Sequence, residues 1–178
     1  MTLVNDRHPS DRPAILVTGG TGYIGSHTCV VLAEAGYHPV IIDNLSNSSP
    51  SVLGRLAEIS GQEAEFIEGD IRDSECLERL FSEHDIKAVL HFAGLKAVGE
   101  SVEQPERYQD NNVGGTRTLL AAMDKASVHT LVFSSSATVY GDPETCPINE
   151  DAPRSAANPY GQTKLDIEHI LELSLIHI

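Results

Sequence analysis

Glycines at positions 19, 22 and 25 stand where the apolar run Ala14, Ile15, Leu16, Val17, Thr18 gives way to a helical pattern opening at Tyr23. Few features constrain a chain more. Gly19 permits a tight turn out of a strand, Gly22 clears a side chain where a pyrophosphate has to approach the backbone, and Gly25 lets the new helix pack closely on the strand. The helix start then offers free N–H groups and the positive end of its dipole. A strand, a phosphate-sized turn and a helix are therefore the expected opening unit.

The rest of the chain repeats that unit. Short β-branched runs at 14–18, 39–42, 64–68, 87–92 and 128–134 alternate with helical patterns at 23–35, 51–59, 74–84, 105–126 and from 159 onward. Such alternation requires right-handed crossovers and a parallel sheet covered on both faces. The fold class is α/β, a Rossmann-like doubly wound parallel sheet. Residues 44–50 and 141–158 are turn-rich loops, and no internal repeat is present. The expected organisation is a polar extension at 1–13, the dinucleotide-binding domain at 14–173, and a tail at 174–178. That tail, Ser174, Leu175, Ile176, His177, Ile178, is apolar and lacks a helix cap. It is expected to be non-native, and the chain to be the N-terminal piece of a longer protein.

Twelve basic against 26 acidic residues give a net charge of −14. A field of that sign repels nucleic-acid phosphates and acidic membrane surfaces, so neither is an expected partner and any anionic ligand has to be held locally. Asp43, eighteen residues beyond Gly25 at the end of the second strand, has the spacing of a carboxylate that accepts from the adenosine ribose hydroxyls. It would repel a 2′-phosphate, which favours NAD over NADP; the plainer alternative is a loop aspartate opening a turn. Cys29, Cys76 and Cys146 are an odd number with no CxxC pair and no metal-ligand spacing to the histidines, so no metal is expected. Residues 1–13 contain no apolar signal core, and no run of 18 apolar residues occurs. A cytoplasmic protein is the expectation.

Tyr160 and Lys164 are four residues apart, on one face of a helix. Free tyrosine ionises at about pH 10, so a neighbouring cation such as Lys164 has to lower that value before Tyr160 can act as a base near neutrality. The spacing alone equally describes two exposed helix residues. Ser134, Ser135 and Ser136 end the fifth strand, where ligands sit in open α/β sheets. Ser136 can relay a proton between Tyr160 and a substrate hydroxyl, while at least one of the three serines is expected only to cap or turn the chain. A glycine fingerprint, strand-end serines and Tyr-x-x-x-Lys, in that order, point to alcohol–ketone redox by hydride transfer.

With these motifs the chain resembles the extended short-chain dehydrogenase/reductase family, in its nucleotide-sugar epimerase branch. The likeness runs from about Ile15 to Leu171 and rests on the stretches 17–28, 43–48, 68–71, 91–101, 111–113 and 134–141. The run His91 to Ser101 selects the branch. A nucleotide-sugar dehydratase is expected to carry an acidic Thr-Asp-Glu-like triplet after the fifth strand, where this chain has Ser135, Ser136, Ala137.

The resemblance implies that Tyr23 and Ile24 line a pyrophosphate and that Asp43, Asn44, Leu45, Ser46, Asn47 and Ser48 hold the adenosine ribose. It implies that Asp70 and Ile71 flank the adenine, and that Phe92, Ala93, Gly94, Leu95 and Lys96 pass beneath the cofactor. Asn111 steadies the same site, and Lys164 doubles as a ligand of the nicotinamide ribose. Plain alternatives stay open: Phe92 as core, Lys96 as a solvated cation, Asn111 as a helix residue bonded to a turn. The implied reaction is a transient oxidation at C4 of a UDP-hexose by tightly held NAD, with Tyr160 as base and no net redox. The family also implies a chain about twice as long, whose missing half carries a sixth strand and a small substrate domain, and a homodimer. A truncated chain is then expected to turn over weakly or not at all. The apolar stripe Val113, Leu119, Leu120, Met123 serves a dimer or a core equally well. Two further readings remain, a non-catalytic NAD-binding module and an epimerase of another UDP-sugar.

Overall fold

The computed structural model describes residues 12–174. Five strands, β1 (Ala14–Thr18), β2 (His38–Asp43), β3 (Glu65–Glu68), β4 (Ile86–His91) and β5 (Leu131–Phe133), form one parallel sheet in the order β3-β2-β1-β4-β5. Between them lie α1 (Tyr23–Glu34), α2 (Ser51–Ser60), α3 (Ser74–Glu83), α4 (Val98–Glu103), α5 (Pro105–Tyr108) and α6 (Gly115–Lys125), and α7 (Pro159–Leu173) follows β5.

Side chains alternate across each strand, so one apolar run serves two layers. Leu16, Val40, Ile42, Val89 and Leu131 pack with Leu77, Leu80, Leu119, Met123, Ile167 and Leu171 of α3, α6 and α7. Val17 and Ile41 face the other way, against Cys29 of α1 and Leu56 of α2. The stripe Val113, Leu119 and Met123 belongs to the first of these layers, with Leu120 packed against it. Burial of this kind stabilises by roughly 1.5–3 kcal/mol per large apolar side chain.

Three local readings are corrected. The helix expected over 105–126 is broken into α5, a π-helical stretch Gln109–Gly114, and α6. A short helix, α4, precedes it, and the 3₁₀ turn Ala137–Tyr140 follows β5. The fifth strand is three residues long and not seven. Its flanks turn early because Val128 N–H bonds to Met123 O and Ser127 adopts φ 57°.

The topology fixes where a ligand can sit. From β1 the chain moves to one side through β2 and β3, then returns across the sheet to β4 on the other side. The strand order reverses between β1 and β4, and the crevice outside their carboxyl ends is the binding place of open α/β sheets.

Candidate functional site

Thr18, Asp43 and His91 are the last residues of β1, β2 and β4, and the loops that follow them wall a cleft of about 1010 Å³, open mouth included. Gly19 turns out of β1 at φ +68°, in the left-handed region, and its N–H donates to Ile42 O at 2.9 Å. A Cβ there would lie 2.7 Å from Ala93 N, so only glycine lets the β1 and β4 loops meet. A Cβ on Gly25 would fall 2.8 Å from Gly20 Cα and overlap Gly19 O. Gly22 caps α1 with no side-chain bond, which leaves the first-turn amides without intrahelical partners; Gly22, Tyr23, Ile24 and Gly25 all line the cleft.

At one end stands Asp43, 8% exposed. Its carboxylate accepts from Thr21 N–H (3.1 Å), Leu45 N–H (2.9 Å) and the Ser48 hydroxyl (3.2 Å), while the Ser48 and Thr21 hydroxyls share a bond of 2.7 Å. Asp43 therefore shapes the loop and lines the cleft, together with Asn44, Ser46 and Asn47. Leu45 and Ser48 are not part of that lining. Asp70 is also outside it: its carboxylate takes Arg72 Nη2 at 2.8 Å and Asn44 Nδ2 at 2.9 Å, and Arg72 reaches on to Asp110 at 2.6 Å. The hydrogen bond from the Arg72 guanidinium holds the Asp70 carboxyl well below the usual carboxylate range. Ile71 does line the cleft, beside Gly69.

The other end brings together Phe92 to Lys96, Asn111, Ser134, Ser135, Tyr160 and Lys164. Asn158 caps α7, accepting from Gly161 N–H at 2.8 Å, with Pro159 in the first turn, so the helix starts just before Tyr160. The Tyr160 N–H donates to Ser101 Oγ at 3.1 Å. Lys164 is 6% exposed; its Nζ donates to Ser134 O at 2.7 Å and lies 4.6 Å from the centroid of Phe133. Burial pushes its ammonium down to about 8, against an opposing pull from Glu168. Glu168 itself is held by the Ser135 hydroxyl and by Arg154.

Ser136 is not among the residues lining the cleft. It caps the 3₁₀ turn, accepting from Thr138 N–H at 3.3 Å and from the Thr138 hydroxyl at 2.9 Å. Both bonds use its lone pairs, so its own proton stays free. Ser134 and Ser135, for which capping is the plainer expectation, do line the cleft.

Beneath the cleft His91 is 1% exposed, with Nδ1 2.7 Å from the Thr18 hydroxyl and Nε2 2.9 Å from the Thr116 hydroxyl. Thr116 gives its proton to Asn112 O (2.6 Å), and therefore accepts from His91 Nε2–H; Thr18 accepts Ala93 N–H (3.2 Å) and gives its proton to Nδ1. Burial, helped by the Lys164 charge, pushes the imidazole down to about 3 and keeps it neutral. Among the described residues no three His, Cys, Asp or Glu gather as a metal site, and no helix is long and apolar enough to cross a membrane.

A doubly wound sheet with a glycine turn at its switch point and Tyr-x-x-x-Lys on the facing helix defines a class, and the chain belongs to the family described as GDP-mannose 4,6 dehydratase, whose model matches residues 16–173. Within it the chain is 60% identical over 158 residues to the UDP-glucose 4-epimerase of Bacillus subtilis (strain 168), covering 89% of this chain and 47% of that one. The UDP-glucose 4-epimerase of Dictyostelium discoideum is likewise 60% identical over 158 residues, covering 89% of this chain and 46% of that one. A crystal structure of UDP-glucose-4-epimerase from Stenotrophomonas maltophila, with bound NAD and formylated UDP-arabinopyranose, superposes with a TM-score of 0.89 at 51% identity, over 90% of this chain and 48% of that one. The chain spans about half the length of the curated relatives it matches.

Proposed function

We propose that this chain is the cofactor-binding half of an NAD-dependent UDP-glucose 4-epimerase, which interconverts UDP-galactose and UDP-glucose. One observation carries the reading: a single crevice has the first-turn amides of α1, which lack intrahelical partners, and Asp43 at one end, and Tyr160 with the buried ammonium of Lys164 at the other. An extended dinucleotide needs anion and ribose sites at one end and a proton-transfer group at the other. NAD, when bound, supplies reversible hydride acceptance at the sugar carbon. The cradle fits it, because Gly22, Tyr23, Ile24 and Gly25 bring a helix start without a side-chain cap to the cleft wall and Asp43 stands beside it.

The chain's own residues do the rest. The first-turn amides of α1 take the pyrophosphate, Asp43 orients the adenosine ribose, and the β4 loop with Asn111 supports the cofactor from below. Tyr160 takes the proton from the C4 hydroxyl of the sugar. Lys164, fixed on Ser134 O, presents positive charge on the same helix face and favours the phenolate. Ser136 keeps a free proton to donate, and it relays a proton between Tyr160 and the sugar hydroxyl once it gives up one of its two Thr138 bonds. Residues 14–173 form the NAD-binding unit of this reading, and a homodimer and a cytoplasmic setting go with it; Cys29, Cys76 and Cys146 are all free thiols.

The family model bears a dehydratase description, yet Ser135, Ser136 and Ala137 after β5 offer no carboxylic acid to eliminate water. The curated relatives named above are epimerases, which favours epimerisation. To test this, UDP-galactose and NAD are incubated with the chain, alone and joined to the remaining half of the Bacillus subtilis relative, and UDP-glucose is resolved by chromatography. Product that vanishes in Tyr160→Phe is expected from the joined protein. Cofactor binding without product in either form would leave only a binding module, and a different hexose product would change the sugar.

A further inference from the structure

We propose that Glu168, in α7, is a positioning residue of the cleft: pinned to Ser135 in the wall, its carboxylate is the counter-charge of the Lys164 ammonium that stands one turn from Tyr160. The inference rests on the reading of Tyr160 as the base and Lys164 as its cation.

Tyr160, Lys164, Glu168 and Glu172 follow one another at four-residue spacing in α7, so they share a helix face, with neighbouring Cβ atoms about 5–6 Å apart. The end of β5 holds two successive turns of that face: Ser134 O accepts from Lys164 Nζ, and the Ser135 hydroxyl donates to Glu168 Oε1. Glu168 Oε2 takes Arg154 Nη1 at 2.9 Å. The same nitrogen reaches Glu172 Oε1 at 2.8 Å, which sets Arg154 toward the next turn and away from Lys164. The Glu168 side chain is 21% exposed, and partners on both oxygens fix the carboxylate in place.

Lys164 needs such a charge. Its ammonium is buried, and both its hydrogen-bond acceptor, a peptide carbonyl, and the Phe133 ring beside it are neutral. A buried charge with no opposite charge nearby is costly, and the group escapes the cost by losing its proton. Burial drives the ammonium in that direction and Glu168 opposes it. His91 of β4, the titratable group beneath, is neutral, and Tyr140 of the 3₁₀ turn lies in the field of Glu168 itself. The π-helical stretch, α4 and α5 also pack on α7, and there Asp110 is paired with Arg72, Glu100 is paired with Arg107, and Gln109 bonds Asp166. Without the Glu168 charge, Lys164 is neutral for more of the time near pH 8, and a phenolate at Tyr160 loses its cation.

The test reads the titration of Lys164 directly, from its side-chain Cε resonance in the chain without cofactor, identified by its loss in Lys164→Met. Glu168→Gln keeps the shape and an acceptor for Ser135 and removes the charge. Its Lys164 midpoint is expected to fall by about 0.5 pH unit or more, roughly threefold in proton affinity. Glu168→Asp, which keeps the charge, is expected to recover at least half of that fall, and Glu172→Gln, a turn further from Lys164, to show less than half of it. In the assay above, the alkaline midpoint of the kcat profile of Glu168→Gln is expected to move down with the resonance, with KM for UDP-galactose within about twofold. A Lys164 midpoint that falls by less than about 0.2 pH unit in Glu168→Gln overturns the proposal, as does an equal fall in Glu172→Gln. So does a kcat lowered at every pH with its alkaline midpoint in place, the mark of a merely structural role. If Tyr160→Phe leaves product formation untouched, the epimerase reading fails instead, and the resonance still decides whether Glu168 is the counter-charge of Lys164.

Discussion

The ammonium of Lys164 is held by the backbone carbonyl of Ser134 at 2.7 Å, while Tyr160 stands one turn earlier on the same helix. The charge beside the proposed base is therefore anchored to the sheet and not to the base itself.

That anchoring has a pH signature. Burial lowers Lys164 from 10.5 to about 8, so between those values the unfolded chain holds a proton that the folded chain has released. Stability attributable to this group rises with pH across that window, by up to about 1.4 kcal/mol per pH unit. Lys164→Met is expected to remove the rise, read as the difference between the two melting curves from pH 7.5 to 10.5, and to abolish turnover in the joined protein.

His91 acts in the acid range. Its folded value of about 3 lies below 6.5, so the unfolded state takes up the proton first as pH falls, and stability drops between about pH 6.5 and 3. His91→Gln is expected to flatten the denaturant-midpoint profile over that interval. Asp70, lowered by Arg72, adds its loss only below its ordinary value of 3.8, so the two effects overlap only between about pH 3.8 and 3.

Two glycines give opposite signs. Gly25→Ala forces a methyl against the Gly19 and Gly20 backbone and is expected to cost about 3 kcal/mol, with loss of NAD binding. Gly54, in α2, has no atom within 4 Å of a Cβ, and Gly54→Ala is expected to stabilise by about 0.5–1 kcal/mol. Chemical denaturation of both variants checks the pair.

Asp43→Ala leaves the Thr21 and Leu45 amides without their shared acceptor and removes the proposed ribose ligand. NAD affinity is expected to fall by about 1.5–3 kcal/mol, or roughly tenfold to 150-fold, by calorimetric titration. The parent is expected to bind NAD in preference to NADP, because the same carboxylate opposes a 2′-phosphate.

What the chain's letters disclosed follows the range of the interactions. Glycines 19, 22 and 25, Asp43 and the Tyr160/Lys164 pair are local patterns, and each carries its geometry in its own spacing. The strand runs did the same for the sheet, since apolar β-branched residues between turns have few other uses. The π-helical register at Gln109–Gly114 had no such mark: it depends on Asn112 reaching Leu95 and Thr163, which are 17 and 51 residues away. The partner of Lys164 was equally hidden, because a backbone carbonyl exists at every position. The serines could be ranked only once β5 ended at Phe133 and set Ser134 and Ser135, rather than Ser136, in the wall.

The hydroxyl and imidazole chain beneath the cleft begins at a peptide N–H, that of Ala93, and ends at a peptide C=O, that of Asn112. Neither end can give up or take a proton at ordinary pH, and every group between them already has its proton committed in one direction. The floor is thus an insulator for protons. In the proposed reaction, a proton that Tyr160 takes from a sugar therefore finds no way out through His91, which suits a cycle that returns it to the sugar.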